Sequence, residues 1–335
     1  MDSLTQIVLG GAVGELVLGK KVGNKAILWG AIGGTIPDLD TFIGFFLDTV
    51  SRLDIHRGFS HSIVFAILIA PILGFLITRL YSNKSGTIWG WTQLFFWSIF
   101  THPLLDIFTT WGTQFFWPYD WRIAIQSIFV IDPLYTLPFL VCLIAVIFHK
   151  RENPMRAKWN KLGLIMSCTY LLITVAIKVY VNSVMEKRLE KDELNYLEYD
   201  SRPTPFNTVL WTFNIETDAS FLISYYSLLD HNEQLQYKEF AKNHELLKPY
   251  RNHPKVERLI QLTKGSYIIE KGDSGLLMHD LRFGLRDGFA EKPSEFVFSY
   301  LIEESPEGIK ITQNQNSLKD TDKLLKALWN RIKGI

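Results

Sequence analysis

The sequence predicts an α-helical polytopic membrane domain of about six spans, some short or re-entrant, followed by a small α+β soluble domain. Two observations carry this. Charged residues are sparse from Ile7 to Val184 and recur every few positions from Glu186 onward, so a composition of 47% hydrophobic and 21% charged residues averages two unlike halves, residues 1–185 and 186–335. Apolar runs of membrane-crossing length fill the first half, and alternating β-branched and aromatic stretches appear in the second.

A helix crosses the hydrocarbon core with roughly 20 apolar residues. Residues 88–108 and 162–181 reach that length, and residues 63–80 approach it. Residues 134–148 are fewer, but Pro133 opens the run and His149, Lys150 and Arg151 close it at a charged interface. Residues 7–19 and 26–37 are each too short to span untilted and are rich in glycine, as close helix packing in membranes favours. They read as two spans or as one re-entrant hairpin. In the second half, strands are predicted at residues 209–215, 221–227, 267–270, 276–283, 295–302 and 309–312, the first two joined as a hairpin. Helical periodicity is predicted at residues 234–247, 254–263 and 321–332, and residues 202–205, Arg-Pro-Thr-Pro, read as an extended linker.

Several classes are excluded by composition. A formal net charge of +1 without a basic finger pattern argues against a nucleic-acid partner. Cys142 and Cys168 both lie in apolar runs, where a thiol behaves as a small hydrophobe, so no disulfide framework is expected. Residues 1–6 have no basic segment of the kind that opens a signal peptide, so targeting is expected to come from the spans.

Lysine and arginine concentrate in cytoplasmic loops. Three basic clusters stand out: Lys20, Lys21 and Lys25; Arg79 and Lys84; and Lys150, Arg151, Arg156, Lys158 and Lys161. Placing all three inside requires six alternating crossings of a bacterial cytoplasmic (inner) membrane, with both termini extracytoplasmic and Lys178 snorkelling to the outer interface. Arg52, Arg57 and Arg122 then fall outside, beside Asp48, Asp54 and Asp120. Trp89, Trp91, Trp111, Trp117 and Trp121 fit aromatic belts.

This topology gathers Asp38, Asp40, His56, His61, His102, Asp106 and Asp132 on one outer side. Imidazole and carboxylate are the usual ligands of zinc and related ions. Asp38 and Asp40 follow Pro37, where neighbouring carboxylates repel unless a cation stands between them. His56 and His61 are five apart and so not on one helix face: His56 is expected in the loop and His61 in the first turn of the next helix, with Gly58 as the bend and Ser60 as N-cap. His102 and Asp106 are an i, i+4 pair on one face, and Pro103 is expected to kink or restart that helix. Asp132 before Pro133 is equally an ordinary helix-start signal. Glu15, inside the first apolar run, must be neutral, paired or near the site, and is read as a supporting group or general acid/base. Arg57 could clamp a phosphate or carboxylate, although a pair with Asp54 would explain it as well. A single interfacial histidine is usually just a hydrogen-bonded residue; it is the set of seven, at one depth, that weighs against that reading.

Met1-Asp2-Ser3-Leu4-Thr5-Gln6, Pro37-Asp38-Leu39-Asp40, His56-Arg57-Gly58-Phe59-Ser60-His61-Ser62, His102-Pro103-Leu104-Leu105-Asp106 and Ile131-Asp132-Pro133-Leu134-Tyr135-Thr136 together resemble the YdjM-like family of membrane-bound proteins assigned as metal-dependent hydrolases. The resemblance covers about the first 180 residues. It implies a helical membrane domain distantly similar to zinc-dependent phospholipase C and its nuclease relatives, with a His-x-x-x-Asp ligand pair like His102 and Asp106. Those soluble enzymes carry more histidines than the three available here, which points to one or two metals.

The expected function is therefore a membrane-bound hydrolase of a phosphoester or lipid-linked substrate. Asp38, Asp40, His56, His61, His102 and Asp106 are its expected ligands for zinc or a related divalent metal, with Glu15, Arg57 and Asp132 in support. The rivals are an ion- or proton-coupled transporter, and a sensor or assembly protein with a structural metal and a protein partner for its C-terminal domain.

Overall fold

The structure, a computed structural model, describes residues 1–81, 86–231, 235–288, 295–306, 308–314 and 321–334. Lys84, from the second basic cluster, and Gln234, which opens a predicted helix, lie outside the described residues. The chain divides into two compact units. One comprises Met1–Phe46, Ile55–Ile177 and Pro205–Asn207; the other comprises Leu47–Asp54, Lys178–Thr204 and Thr208–Ile335.

The first unit is helical. The Asp2 side chain accepts from the Thr5 amide to start α1 (Ser3–Val22), which turns back at Gly23, φ +63°, into α2 (Asn24–Thr35). The two short glycine-rich segments are thus an antiparallel helical hairpin. Its contact surface is backbone on backbone: a Cβ on Gly14 would stand 2.2 Å from the Ala26 carbonyl oxygen, and one on Gly10 2.4 Å from that of Gly30. A 3-10 turn, Ile36–Leu39, leads to α3 (Asp40–Gly44), and a second, Phe59–His61, leads to α5 (Ile63–Leu80) after the short α4 (Thr49–Ile55). Three longer helices follow: α6 (Ile88–Asp106), α7 (Pro133–Phe148) and α8 (Pro154–Lys191).

Several local expectations are corrected. Ser62, not Ser60, caps α5, accepting from the Phe65 amide, because His61 ends the preceding 3-10 turn instead of opening the helix. Arg57, not Gly58, supplies the left-handed bend, at φ +58°. The helix α6 runs unbroken through Pro103. Trp91 is fully buried and stacks on Tyr81 with ring centroids 5.9 Å apart, so it is core, whereas Trp89 and Trp121 are exposed. By length and composition, two helices among the described residues can cross a membrane: α5 and α8; α7 is apolar but has only 16 residues. The helix α6 is long enough at 19 residues, but Thr92, Gln93, Ser98, Thr101, His102 and Asp106 make it more polar. The core lies where α1, α6 and α7 meet, around Val8, Ala12, Leu105, Phe139 and Val146.

The second unit carries two four-stranded antiparallel sheets, each a meander in chain order. The first is β1 (Glu198–Pro203), β2 (Leu210–Glu216), β3 (Ser220–Ser227) and β4 (Lys238–Ala241). The second is β5 (Tyr267–Lys271), β6 (Leu276–Asp280), β7 (Ser299–Ser305) and β8 (Gly308–Asn314), and α9 (Pro254–Leu262) and α10 (Thr321–Ile332) complete the unit. The expected linker is strand: Arg202 pairs opposite Thr212, and Pro203 is tolerated because β1 is an edge. The expected helix at 234–247 is instead β4 and a 3-10 turn, His244–Leu247, separated by Asn243 at φ +50°, a conformation no helix continues through. Lys178 Nζ donates to the Ser201 carbonyl at 2.6 Å. Met278, Tyr300, Ile302 and Ile269 form the core of this unit with Val256 and Leu259 of α9 and Val50 of α4.

Candidate metal centre

Four donor residues from three elements of the first unit converge. Asp38 comes from the 3-10 turn after α2, His61 from the turn before α5, and His102 and Asp106 from consecutive turns of α6. One ligand atom from each lies within 4.8 Å of all the others. His61 Nε2 and His102 Nε2 are each 3.4 Å from Asp38 Oδ1 and 3.5 Å from Asp106 Oδ2, and 3.1 Å from each other. Side chains of His61, His102 and Asp106 are 0% exposed, while that of Asp38 is 26% exposed, so any approach is past Asp38.

The proton positions follow from the partners. His102 Nδ1 lies 2.5 Å from the Gly34 carbonyl oxygen, which can only accept, so Nδ1 carries a proton and Nε2 is turned to the other donors. Ser60 Oγ donates to Asp40 Oδ2 at 3.0 Å, which leaves it to accept from His61 Nδ1 at 2.9 Å, and Asp40 Oδ2 stands 3.5 Å from the same nitrogen. His61 Nε2 is likewise the atom turned to the other donors. Two imidazole nitrogens and two carboxylate oxygens then face one another in a small buried space. Asp106 Oδ2 is itself buried and accepts no hydrogen bond from the described residues.

Two carboxylates and two imidazoles in so small a buried space call for positive charge between them, supplied by imidazole protons or by a metal cation. Five of the six donor–donor edges, at 3.1–3.5 Å, bracket about 3.3–3.4 Å, the edge of a tetrahedron with a centre-to-corner length of about 2.0–2.1 Å as zinc takes with nitrogen and oxygen donors, and the sixth, between Asp38 and Asp106, is within 4.8 Å. The residues present fit a divalent metal of that kind.

Around this set the protein arranges compensating charge. Asp106 Oδ1 accepts from Gln6 Nε2 at 3.1 Å and from the buried α-amino group of Met1, and Arg57 Nε lies 3.2 Å from Oδ2. Arg57 is held in turn by Thr109 Oγ1 at 2.8 Å, while its amide donates to Asp40 Oδ2 at 2.9 Å. Burial alone would raise the Asp38 carboxyl, but hydrogen bonds from His102 and His61, with their charge, hold it well below the ordinary carboxylate range. Asp40 is lowered in the same way, against burial, by His56 and His61 and by the Arg57 amide. Burial pushes the His56 imidazole down despite its contact with Asp40, favouring the neutral ring.

The other sequence candidates take different places. Asp40 and His56 are adjacent to the four donors but outside them: His56 Nδ1 is 3.2 Å from Asp40 Oδ1, and its side chain is 30% exposed. Asp132 is the N-cap of α7, accepting from the Leu134 and Tyr135 amides and from the Tyr170 hydroxyl at 2.9 Å. The structure does not bring Glu15 to the cluster. It lies nine residues along α1 from Gln6, about 13 Å at helical rise, and both its carboxylate oxygens are taken by Arg156. Nor does Arg57 pair with Asp54; it turns inward to Asp106. Gly34 and Thr109 were not singled out by sequence, and Met1, Gln6 and Ser60 stand in the quoted motifs without a role at the site, Ser60 being expected only as an N-cap. Gln6, a polar side chain at the head of an apolar run, carried the one readable signal.

A family model, that of the YdjM inner membrane protein, matches residues 1–181. The inner membrane protein YbcI of Escherichia coli (strain K12) is 36% identical over 107 residues, 32% of this chain and 60% of that protein. The chain thus spans about 60% of the length of that relative. No solved structure matches.

Proposed function

The chain belongs to the YdjM inner membrane protein family, and from that premise and the buried donor set we propose that it is a metal-dependent hydrolase of a phosphoester or lipid-linked substrate. The observation that carries the reading is the convergence of two inward imidazole Nε2 atoms and two carboxylate oxygens in one buried group. In this reading Asp38, His61, His102 and Asp106 hold one divalent ion, zinc by its donor set, at the extracytoplasmic ends of a six-span bundle. When bound, such an ion supplies Lewis acidity, polarising a scissile phosphoryl or acyl group and favouring hydrolysis by water near neutral pH.

The chain's own residues do the rest. Asp40 and Ser60 keep the His61 proton on Nδ1, and the Gly34 carbonyl does the same for His102. Arg57 and the Met1 amine contact the two oxygens of Asp106 and hold the carboxylate in place. Asp38 forms the accessible wall. His56, neutral and partly exposed with Nδ1 against Asp40, can exchange a proton at Nε2 with a leaving group.

One observation favours a second reading: three of the four donors have no exposure, as in closed structural sites. Elemental analysis of the purified protein, of His61→Ala and of Asp106→Ala, beside hydrolysis of a chromogenic phosphodiester with and without chelator, separates the two. The hydrolase reading expects about one metal per chain, lost in both variants together with turnover. Metal lost with the fold while wild type shows no turnover would favour the structural reading, and unchanged metal in both variants would remove the site.

A further inference from the structure

At the end of α1 remote from the donor set, a cavity of about 530 Å³ opens between the last turn of α1, the turn joining α7 to α8 and the first turn of α8. Lys20, Arg151, Asn153 and Arg156 line it with Glu15 and Glu152. Its floor is a built ion pair. Arg156 Nε donates to Glu15 Oε1 at 2.7 Å and Nη2 to Oε2 at 2.5 Å, while Nη1 donates to Asn24 Oδ1 and to the carbonyls of Val146 and His149. Both residues are nearly inaccessible, with side chains 4% and 6% exposed.

The Glu15 charge is therefore spent inside the fold, and the rim decides what the cavity attracts. Arg151 Nη1 donates to the Lys21 carbonyl, which holds the guanidinium over the mouth, and Lys20 is exposed beside it. Glu152 contacts Arg151 from the outside, with its own side chain 71% exposed. Across residues 16–37 and 133–185 Glu152 is the one acidic residue, against Lys20, Lys21, Lys25, Lys150, Arg151 and Lys158 among others.

We infer that this cavity binds the phosphodiester headgroup of an anionic phospholipid, with Lys20 and Arg151 as its charged rim and the Arg156–Glu15 pair as its floor. A concave basic site at the ends of helices in an inner membrane protein meets lipid headgroups at that depth, and anionic lipids are what a basic rim selects. The hydrolase reading plays no part in this, so either can fail alone.

Delipidated protein in a zwitterionic detergent is titrated with phosphatidylglycerol or phosphatidylcholine, with binding read by native mass spectrometry and by the rise in melting temperature. Phosphatidylglycerol should bind and stabilise, and phosphatidylcholine should not. Taking about fivefold for each basic side chain near an anionic headgroup, Lys20→Gln with Arg151→Gln should weaken binding about thirtyfold. Lys20→Arg should retain it. Both changed side chains are exposed, so the lipid-free melting temperature of the double variant should match wild type, which checks its fold. Equal binding of phosphatidylcholine, or undiminished binding by the double variant, would overturn the inference. Stabilisation by inorganic phosphate as large as that by phosphatidylglycerol would also overturn it, by assigning a free-phosphate site.

Discussion

Each imidazole of the centre is set by an atom on its far side. The Gly34 carbonyl holds His102, and Asp40 with Ser60 holds His61. Removing such a partner leaves the ligand atoms in place while freeing the ring and lowering its basicity, and typically costs about 10–100-fold in metal affinity. Asp40→Ala should therefore bind metal about 10–100-fold more weakly, measured by competition with a chromophoric chelator, with stoichiometry retained. Unchanged affinity would mean Asp40 does not orient His61. Proton linkage gives a second expectation. Asp38 and Asp40 sit below the ordinary range, so their stabilising effect is complete above about pH 4 and lost on acidification below it. Metal held by imidazole and carboxylate donors is displaced by protons, so release on acidification should precede unfolding, with up to about two protons bound per ion released, read by calorimetry in buffers of different ionisation enthalpy. Release that coincides with unfolding would contradict this order. The donor residues are readable from sequence because their chemistry is in their side chains. The Gly34 carbonyl is not, because every residue carries such a group and only the fold selects one.

Among the elements, the α1–α2 hairpin has the least tolerance. Gly10 and Gly14 face Gly30 and Gly34, and the helix axes approach because no Cβ intervenes. Gly14→Leu should force them apart at a cost of about 1–3 kcal/mol, seen as a lower melting temperature in detergent. Since α1 carries Gln6 and α2 leads into Asp38, metal affinity should fall too. A variant as stable as wild type would show that the hairpin is not this closely packed. Glu15 belongs to the same element. Glu15→Gln leaves the Arg156 guanidinium buried without its counter-charge and with one of its two acceptor oxygens replaced by a donor, and should destabilise by about 3 kcal/mol. The glycine spacing made close packing legible, as did the charge step between helical and β-rich parts. The β4 region misleads because its apolar residues fit either period until Asn243 turns the chain.

On the scale of the whole chain, the open question is which helices cross the bilayer, and α7 decides it. Its 16 residues rise about 24 Å, short of a hydrocarbon core of about 30 Å, yet Asp132 caps one end and basic residues follow the other. If α7 crosses by local thinning of the bilayer, the turn before it and the turn after it lie on opposite sides, and the donor set faces away from the basic end. With Cys142 and Cys168 first replaced by alanine, Tyr119→Cys and Glu152→Cys place one thiol in each turn, and both native side chains are exposed. An impermeant maleimide added to spheroplasts should label Tyr119→Cys at once and Glu152→Cys only after permeabilisation. Labelling of both from outside would make α7 re-entrant and break the alternation on which six crossings depend. The reverse pattern would carry the donor set to the cytoplasmic side, where a phosphoester or lipid-linked substrate would have to be drawn from the inner leaflet.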